Sequence, residues 1–394
     1  MSLERQAEDR NGRSEPRTSY RPMLEHGVGE VSLVNLQSRP AKIEEVRTTL
    51  IEIQFHNRRA FQIENDAVRV TVTAEGGHIG EILEKNSGVN PLWIPPWPSI
   101  EISSYAREKH PEYGADSESK LLAGIMGHNL CLDMFGPPSD AEAAAGMTVH
   151  GEASVVPYGI TSTADGLVAR CTLPIAQLRC ERRVRLEGRR VLITETVENL
   201  SALDRPIAWT EHVTLGPPFL QQGATEFRVS ATKSRALGES ADFDWPFRPS
   251  PDGKEDLRIF TNATSSGGYT AHLMNPSEER AWFWARSPAS RVLLGYVWER
   301  SDFPWIGIWE ENNSRTNPPW NGRTVTRGME FGASPFPETR REMVEREKLF
   351  DAPCYRWLPA KRSLSVEYYA AVMQVSAIPE TLVQFEAAVA GRGD

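Results

Sequence analysis

The sequence predicts an all-β chain folded as one large two-sheet antiparallel β-sandwich, and three observations carry that expectation. From about residue 58 to about residue 373, short apolar/polar alternating runs are separated by Gly, Pro, Asn and Asp, the pattern of half-buried strands. Helical apolar spacing does not interrupt that stretch. No repeat of roughly 20–50 residues is present, which counts against a propeller and leaves a sandwich as the preferred way to bury so many strands. The 394 residues could hold two average domains, but large sandwiches run as single units. We therefore expect a leader over 1–44, a sandwich body over 45–380 and a tail over 381–394.

Taken in order, the first 22 residues are rich in Arg and Glu without periodicity, and read as a mobile leader. The clearest strands lie in 60–77 (AFQIENDAVRVTVTAEGG), 178–201, 208–216 (AWTEHVTLG) and 291–299 (RVLLGYVWE). Within 178–201, Val184 and Leu186 alternate with Arg183 and Arg185 before a turn at Glu187 and Gly188. That is a hairpin with one wet face, so its arginines are read as solvated rather than as a nucleic-acid patch. The Pro- and Gly-rich stretches WIPPWPSI and SRTNPPWNGR read as long loops at one end of the sandwich, where binding residues concentrate.

Composition narrows the function. The chain is 40% hydrophobic and 25% charged, with a formal net charge of −9. That balance suits a neutral ligand and argues against nucleic acid, whose phosphates call for a basic surface. No stretch is apolar for long enough to span a bilayer, and the N-terminus lacks a signal-type apolar region, so we expect no membrane partner and a cytoplasmic location. Cys131, Cys171, Cys180 and Cys354 show no metal-binding spacing and read as reduced, buried thiols. Walker, dinucleotide-binding, HExxH and GxSxG motifs are all missing.

Strand alternation picks out candidate site residues. It places Thr210, His212 and Thr214 on one face of AWTEHVTLG, with Trp209, Glu211, Val213 and Leu215 on the other. A histidine between threonines is suited to a hydroxylated ligand. In RGMEFGA, Glu330 shares a face with Gly328 and Gly332, glycines that weaken a strand and leave room beside the carboxylate. His150 shares a face with Thr148 and Glu152, and Glu152 is a candidate to orient its imidazole. His78 reads as structural. His128 and Asn129, in GIMGHNL, fall near the expected cleft and are taken as ligand-binding candidates. Trp305 and Trp309 share a face of FPWIGIWEENNSR, with Glu310 just beyond as a rival carboxylate to Glu330 and Trp320 in the following loop.

The segment 63–93, IENDAVRVTVTAEGGHIGEILEKNSGVNPLW, resembles the opening strands of the aldose 1-epimerase (galactose mutarotase-like) superfamily. TVHGEAS around His150, WTEHVTLGPPF around His212 and RGMEFGASPFPE around Glu330 match the same family in order, so the resemblance spans nearly the whole body. It implies a galactose mutarotase-like sandwich with a small-molecule sugar as partner and without a metal or organic cofactor. It further implies that Glu330 is the general base on the anomeric hydroxyl, His212 the general acid for the ring oxygen, and His150 an orienting group. His212 is then expected to rest protonated, helped by nearby carboxylates. Trp305, Trp309 and Trp320 offer faces for sugar C–H groups, while His128, Asn129 and Glu310 offer polar contacts. Two other readings are kept: a non-catalytic carbohydrate-binding protein, and a hexose-phosphate epimerase, which requires Arg315, Arg323 and Arg327 along one cleft wall. Oligomeric state is open, with a homodimer as one option.

Overall fold

The computed structural model describes residues 49–251 and 253–391; the expected leader, 1–44, lies outside them. Strands dominate, and two large antiparallel sheets face each other. The first sheet has twelve strands. Its order runs Ile51–Phe55, Arg58–Glu64, Val68–Thr73, Ile79–Glu84, His128–Asp133, Arg205–Leu215, Val325–Gly332, Trp305–Asn312, Ser266–Met274, Ala231–Ala236 and Asp242–Asp244, with Arg356–Leu358 pairing off Arg205–Leu215. The second has eight strands: Glu226–Val229, Arg280–Arg286, Val292–Glu299, Ser363–Gln374, Arg190–Asn199, Leu178–Glu187, Gly166–Leu173 and Gly159–Ser162.

Period-two patterning explains how the sheets meet. Trp209, Val213, Leu215, Ile306, Ile308, Met329 and Phe331 of the first sheet pack with Cys180, Val184, Ile193, Tyr296, Val366 and Val372 of the second in one apolar core. Their alternates on the first sheet must then face away from the second, and these carry the candidate site. The hairpin of 178–199 turns at Gly188, whose φ of +56° favours glycine. Its exposed Arg183 pairs with Glu181 and its exposed Arg185 with Asp165, as alternation predicts.

Helix is scarce, but it reaches into the segment expected to be a tail. Thr381 caps Leu382–Val389 by accepting from the Gln384 N–H. Phe385 of that helix is fully buried, its ring parallel to Trp284 at 4.7 Å between centroids. A Cβ at Gly295 would overlap Phe385, so this glycine makes the seat for the helix. The helix thereby covers an apolar cluster of Trp282, Trp284, Leu293 and Met373, the face of the second sheet turned away from the core.

Candidate active site

The site grows out of register. His212 pairs with Glu330 on one side and Asn129 on the other, and Glu330 pairs in turn with Gly307. One transverse row therefore holds Asn129, His212, Glu330 and Gly307 on the same face of four adjacent strands. The row on one side of it holds Thr214, Gly328, Trp309 and Tyr269; the row on the other holds Cys131, Thr210, Gly332 and Trp305. A cleft of about 680 Å³ opens over this face, with His150, His212, Thr214, Tyr269, Trp309 and Glu330 among its lining residues.

At its floor the His212 Nε2 lies 3.0 Å from Glu330 Oε1, while Nδ1 lies 2.9 Å from the Thr214 hydroxyl. The Nε2–Oε1 approach is close but misaligned for a hydrogen bond, and Oε1 has no aligned partner. His150 arrives from a loop rather than a strand. Its φ is +67°, and a Cβ on the following Gly151 would collide with the Leu132 carbonyl. Alternation therefore does not govern this segment. The His150 Nδ1–H donates to the Phe135 carbonyl at 2.5 Å, which fixes the tautomer and leaves Nε2 as the acceptor. The two imidazole centroids are 5.1 Å apart. Glu152, expected to orient this ring, instead accepts from the Ala176 N–H at 2.7 Å.

Burial decides the charges. It pushes the Glu330 carboxyl well above the usual carboxylate range, with no cation to oppose it. It pushes His212 well below its ordinary value, helped by His150, and lowers His150 to about 4. Burial thus disfavours the charged form of both groups, which runs against the expectation of a protonated His212.

The glycines beside Glu330 are filled rather than vacant. A Cβ at Gly328 would overlap the Glu330 carboxyl itself, one at Gly332 the Thr210 hydroxyl, and one at Gly307 the Tyr269 hydroxyl. Tyr269 is a site residue the sequence reading missed. It donates to the Pro335 carbonyl at 3.0 Å, and burial raises its pKa. Gly307, one register step from Glu330, was the available signal.

Other candidates separate clearly. Trp309 and Trp320 line the cleft, and the Trp320 Nε1 is a buried donor without a partner. Trp305 lies on the correct face but is sealed beneath Phe336, Leu349 and Cys354, with its Nε1 donating to the Pro353 carbonyl at 2.7 Å. Asn129 is in the His212 row yet does not line the cleft; its Nδ2 donates to Ser154, and its Oδ1 is unpartnered. Glu310 borders the cleft, but its carboxylate is held by Arg327 on the face opposite Trp309. It is therefore not the rival to Glu330.

His128 is placed on the core face, one residue out of phase with Asn129. Its Nε2 is 2.9 Å from Glu211 Oε2 and its Nδ1 3.2 Å from the Tyr296 hydroxyl, so it has no access to the cleft. His78 bridges the Gly124 and Ser154 carbonyls, the structural role expected.

Of the three arginines considered for a phosphate group, Arg315 alone lines the cleft. Its guanidinium lies 4.8 Å from the Trp320 centroid and 3.0 Å from the Glu118 carboxylate, so it is already neutralised. Arg327 is buried on the core side against Phe227, and Arg323 is exposed outside the cleft. The cluster that a hexose-phosphate reading needs is not assembled. Among the described residues, no group of three or more His, Cys, Asp or Glu side chains is placed to hold a metal ion, and no helix is long and apolar enough to cross a membrane.

No family model and no curated protein sequence matches this chain. Solved structures do. A proposed aldose 1-epimerase from Klebsiella pneumoniae superposes with a TM-score of 0.63 at 13% identity, over 88% of each chain. A galactose mutarotase-like protein from Clostridium acetobutylicum gives 0.56 at 12% identity, over 84% of this chain and 99% of its own. One from Lactobacillus casei gives 0.51 at 12% identity, over 82% and 100%. The fold is thus the galactose mutarotase-like β-sandwich.

Proposed function

We propose that this protein binds a reducing sugar in the cleft and interconverts its anomers by acid–base ring opening, with Glu330 and His212 as the proton-exchanging pair. The observation that supports this most is a buried carboxyl and a buried imidazole 3.0 Å apart at the floor of a cleft walled by Trp309 and Trp320. Unsatisfied polar atoms support it too. Of eight buried side-chain polar atoms without a partner among the described residues, Glu330 Oε1 and Trp320 Nε1 belong to residues that line the cleft. Buried polar atoms are rarely left unpaired, and a polyhydroxylated ligand supplies what is missing.

Ring opening removes the proton from the C1 hydroxyl, breaks the bond from C1 to the ring oxygen, and places a proton on that oxygen. Reclosure on the other face of the carbonyl reverses both transfers. One acid and one base are needed, and the pair holds a single proton between them. In the ion-pair form, Glu330 is the base and His212 the acid, as the family resemblance implies. In the resting neutral form the same proton sits on Glu330. The two forms differ only by transfer of that proton, and sugar hydroxyls in a site cleared of water are the groups that would stabilise the charged one. His150 presents a neutral Nε2 as acceptor for a sugar hydroxyl, and Trp309 and Trp320 cover C–H faces.

NMR exchange between α and β anomers, measured over a panel of free hexoses and pentoses, tests the reading. Enhanced exchange is expected for at least one sugar, falling roughly 10²–10⁴-fold in Glu330→Gln. Sugar binding without enhanced exchange in the wild type would replace the enzyme with a carbohydrate-binding protein.

A further inference from the structure

Away from the cleft, Cys171 and Cys180 stand directly opposite each other on the antiparallel strands Gly166–Leu173 and Leu178–Glu187. Opposed residues in such a pair have Cα atoms about 4.5–5.5 Å apart, within the roughly 4.4–6.8 Å that a disulfide spans. Both side chains enter the core between the sheets, and both are free thiols. Register and burial thus bring the two thiols side by side. Packing alone would be served as well by two alanines or valines.

The environment distinguishes the two sulfurs. The neighbouring Cys180 thiol, then the Tyr158 hydroxyl and the Arg182 guanidinium, hold Cys171 below the usual thiol range against the opposing effect of burial. The Tyr158 hydroxyl is buried without a hydrogen-bond partner. Cys180 is pushed the other way, first by its contact with Cys171, then by burial and by the charge of Glu195. Cys171 also retains a little exposure beside the edge strand Gly159–Ser162, while Cys180 has none.

We propose that Cys171 and Cys180 form a peroxide-oxidisable dithiol, with Cys171 as the attacking sulfur and Cys180 as the resolving one. The Cys171 thiolate attacks one oxygen of hydrogen peroxide. The O–O bond breaks, sulfur gives up two electrons, and a sulfenic acid forms as the second oxygen leaves as hydroxide and takes up a proton. The Cys180 sulfur then attacks the sulfenic sulfur; the S–S bond forms, the S–O bond breaks, and the hydroxyl leaves as water with the Cys180 proton. In sum, two thiols and one peroxide give one disulfide and two waters. The new bond ties together the strand carrying Arg182 and its outer neighbour.

The test is peptide mapping of the folded wild-type protein after titration with hydrogen peroxide, with free thiols alkylated under denaturing conditions. Cys131 and Cys354 are buried elsewhere and serve as internal controls. A linked 171–180 peptide should appear while both controls remain alkylatable. In Cys180→Ser, a dione probe should trap a sulfenic acid at Cys171, and in Cys171→Ser, Cys180 should stay a thiol. Oxidation of all four cysteines in parallel, or a persistent dithiol once the controls are consumed, overturns the proposal. The wild-type map decides without the variants, should either fail to fold.

Discussion

The strand Arg205–Leu215 has two faces, and each buries a titratable group, His212 on one and Glu211 on the other. On the cleft face, His212 meets Glu330 at 3.0 Å out of hydrogen-bond alignment, and Thr210 Oγ1 has no partner. On the core face, Glu211 accepts from His128, Arg182, Trp209 and Tyr368. Arg182 also binds Glu195 and donates to the Gly77 carbonyl at 3.0 Å. Glu195 is lifted to about 7 by burial, with Arg182 opposing and Glu211 adding to the rise. Burial and shifted pKa values are therefore common to both faces. What separates them is satisfaction: the core cluster closes on itself, while the cleft row ends in atoms awaiting partners beside a cavity.

The largest expected effect tests the closed face. Removing one member of a buried ion cluster strands the remaining charges, at a cost of about 3–5 kcal/mol. Arg182→Met leaves Glu195 and Glu211 buried together without their cation, and should lower unfolding free energy by that amount in urea titrations. Glu330→Gln, by contrast, removes a carboxyl that burial already disfavours as an anion, and should leave stability near wild type or above it at neutral pH. If Arg182→Met cost under about 1 kcal/mol, the closed cluster would not be the structural clamp described.

A pH series sharpens the same contrast. His78 and His272 are lowered to about 3 and His150 to about 4, each first by burial. A depressed folded pKa gives stability that is present above the unfolded value near 6.5 and lost as pH falls through the folded value. Each such histidine adds a slope of up to about 1.4 kcal/mol per pH unit in that window. Glu330 works in the opposite sense. Its folded pKa is raised, so its contribution is present below about 4.5 and lost as pH rises through the folded value. Wild type should therefore weaken on acidification below about pH 6.5, and Glu330→Gln should be flatter than wild type above about pH 4.5. Parallel curves for the two proteins would mean that the Glu330 carboxyl is not desolvated.

Much of this was legible in sequence because sheets report their faces with a period of two. The sandwich, the polar face of Thr210, His212 and Thr214, and the phase of Glu330 against Met329 and Phe331 all followed from alternation. The same rule could have found Arg182: it shares phase with Val184, not with the exposed Arg183 and Arg185, and so had to lie inside with a counter-charge. His128 and Asn129 were taken together, although neighbours in a strand point to opposite faces. Trp305 was on the right face, but its cover comes from residues 336–354, a tertiary fact that local pattern does not contain. His150 was misread as a strand residue because a positive φ at a non-glycine leaves no trace in the sequence.

The smallest effect concerns the contact between the missed tyrosine and its glycine. A Cβ at position 307 would overlap the Tyr269 hydroxyl, which cannot retreat without losing its bond to the Pro335 carbonyl. Overpacking of this kind costs about 1–3 kcal/mol, and the ring would be driven toward Glu330 or into the cleft. Gly307→Ala should therefore lose both stability, by chemical unfolding, and sugar affinity, by titration. Pairing it with Tyr269→Phe removes the overlapping oxygen and should return most of the stability. If the double variant gained nothing over Gly307→Ala, the glycine would be serving backbone freedom rather than space for the ring, and Tyr269 would lose its place in the cleft wall.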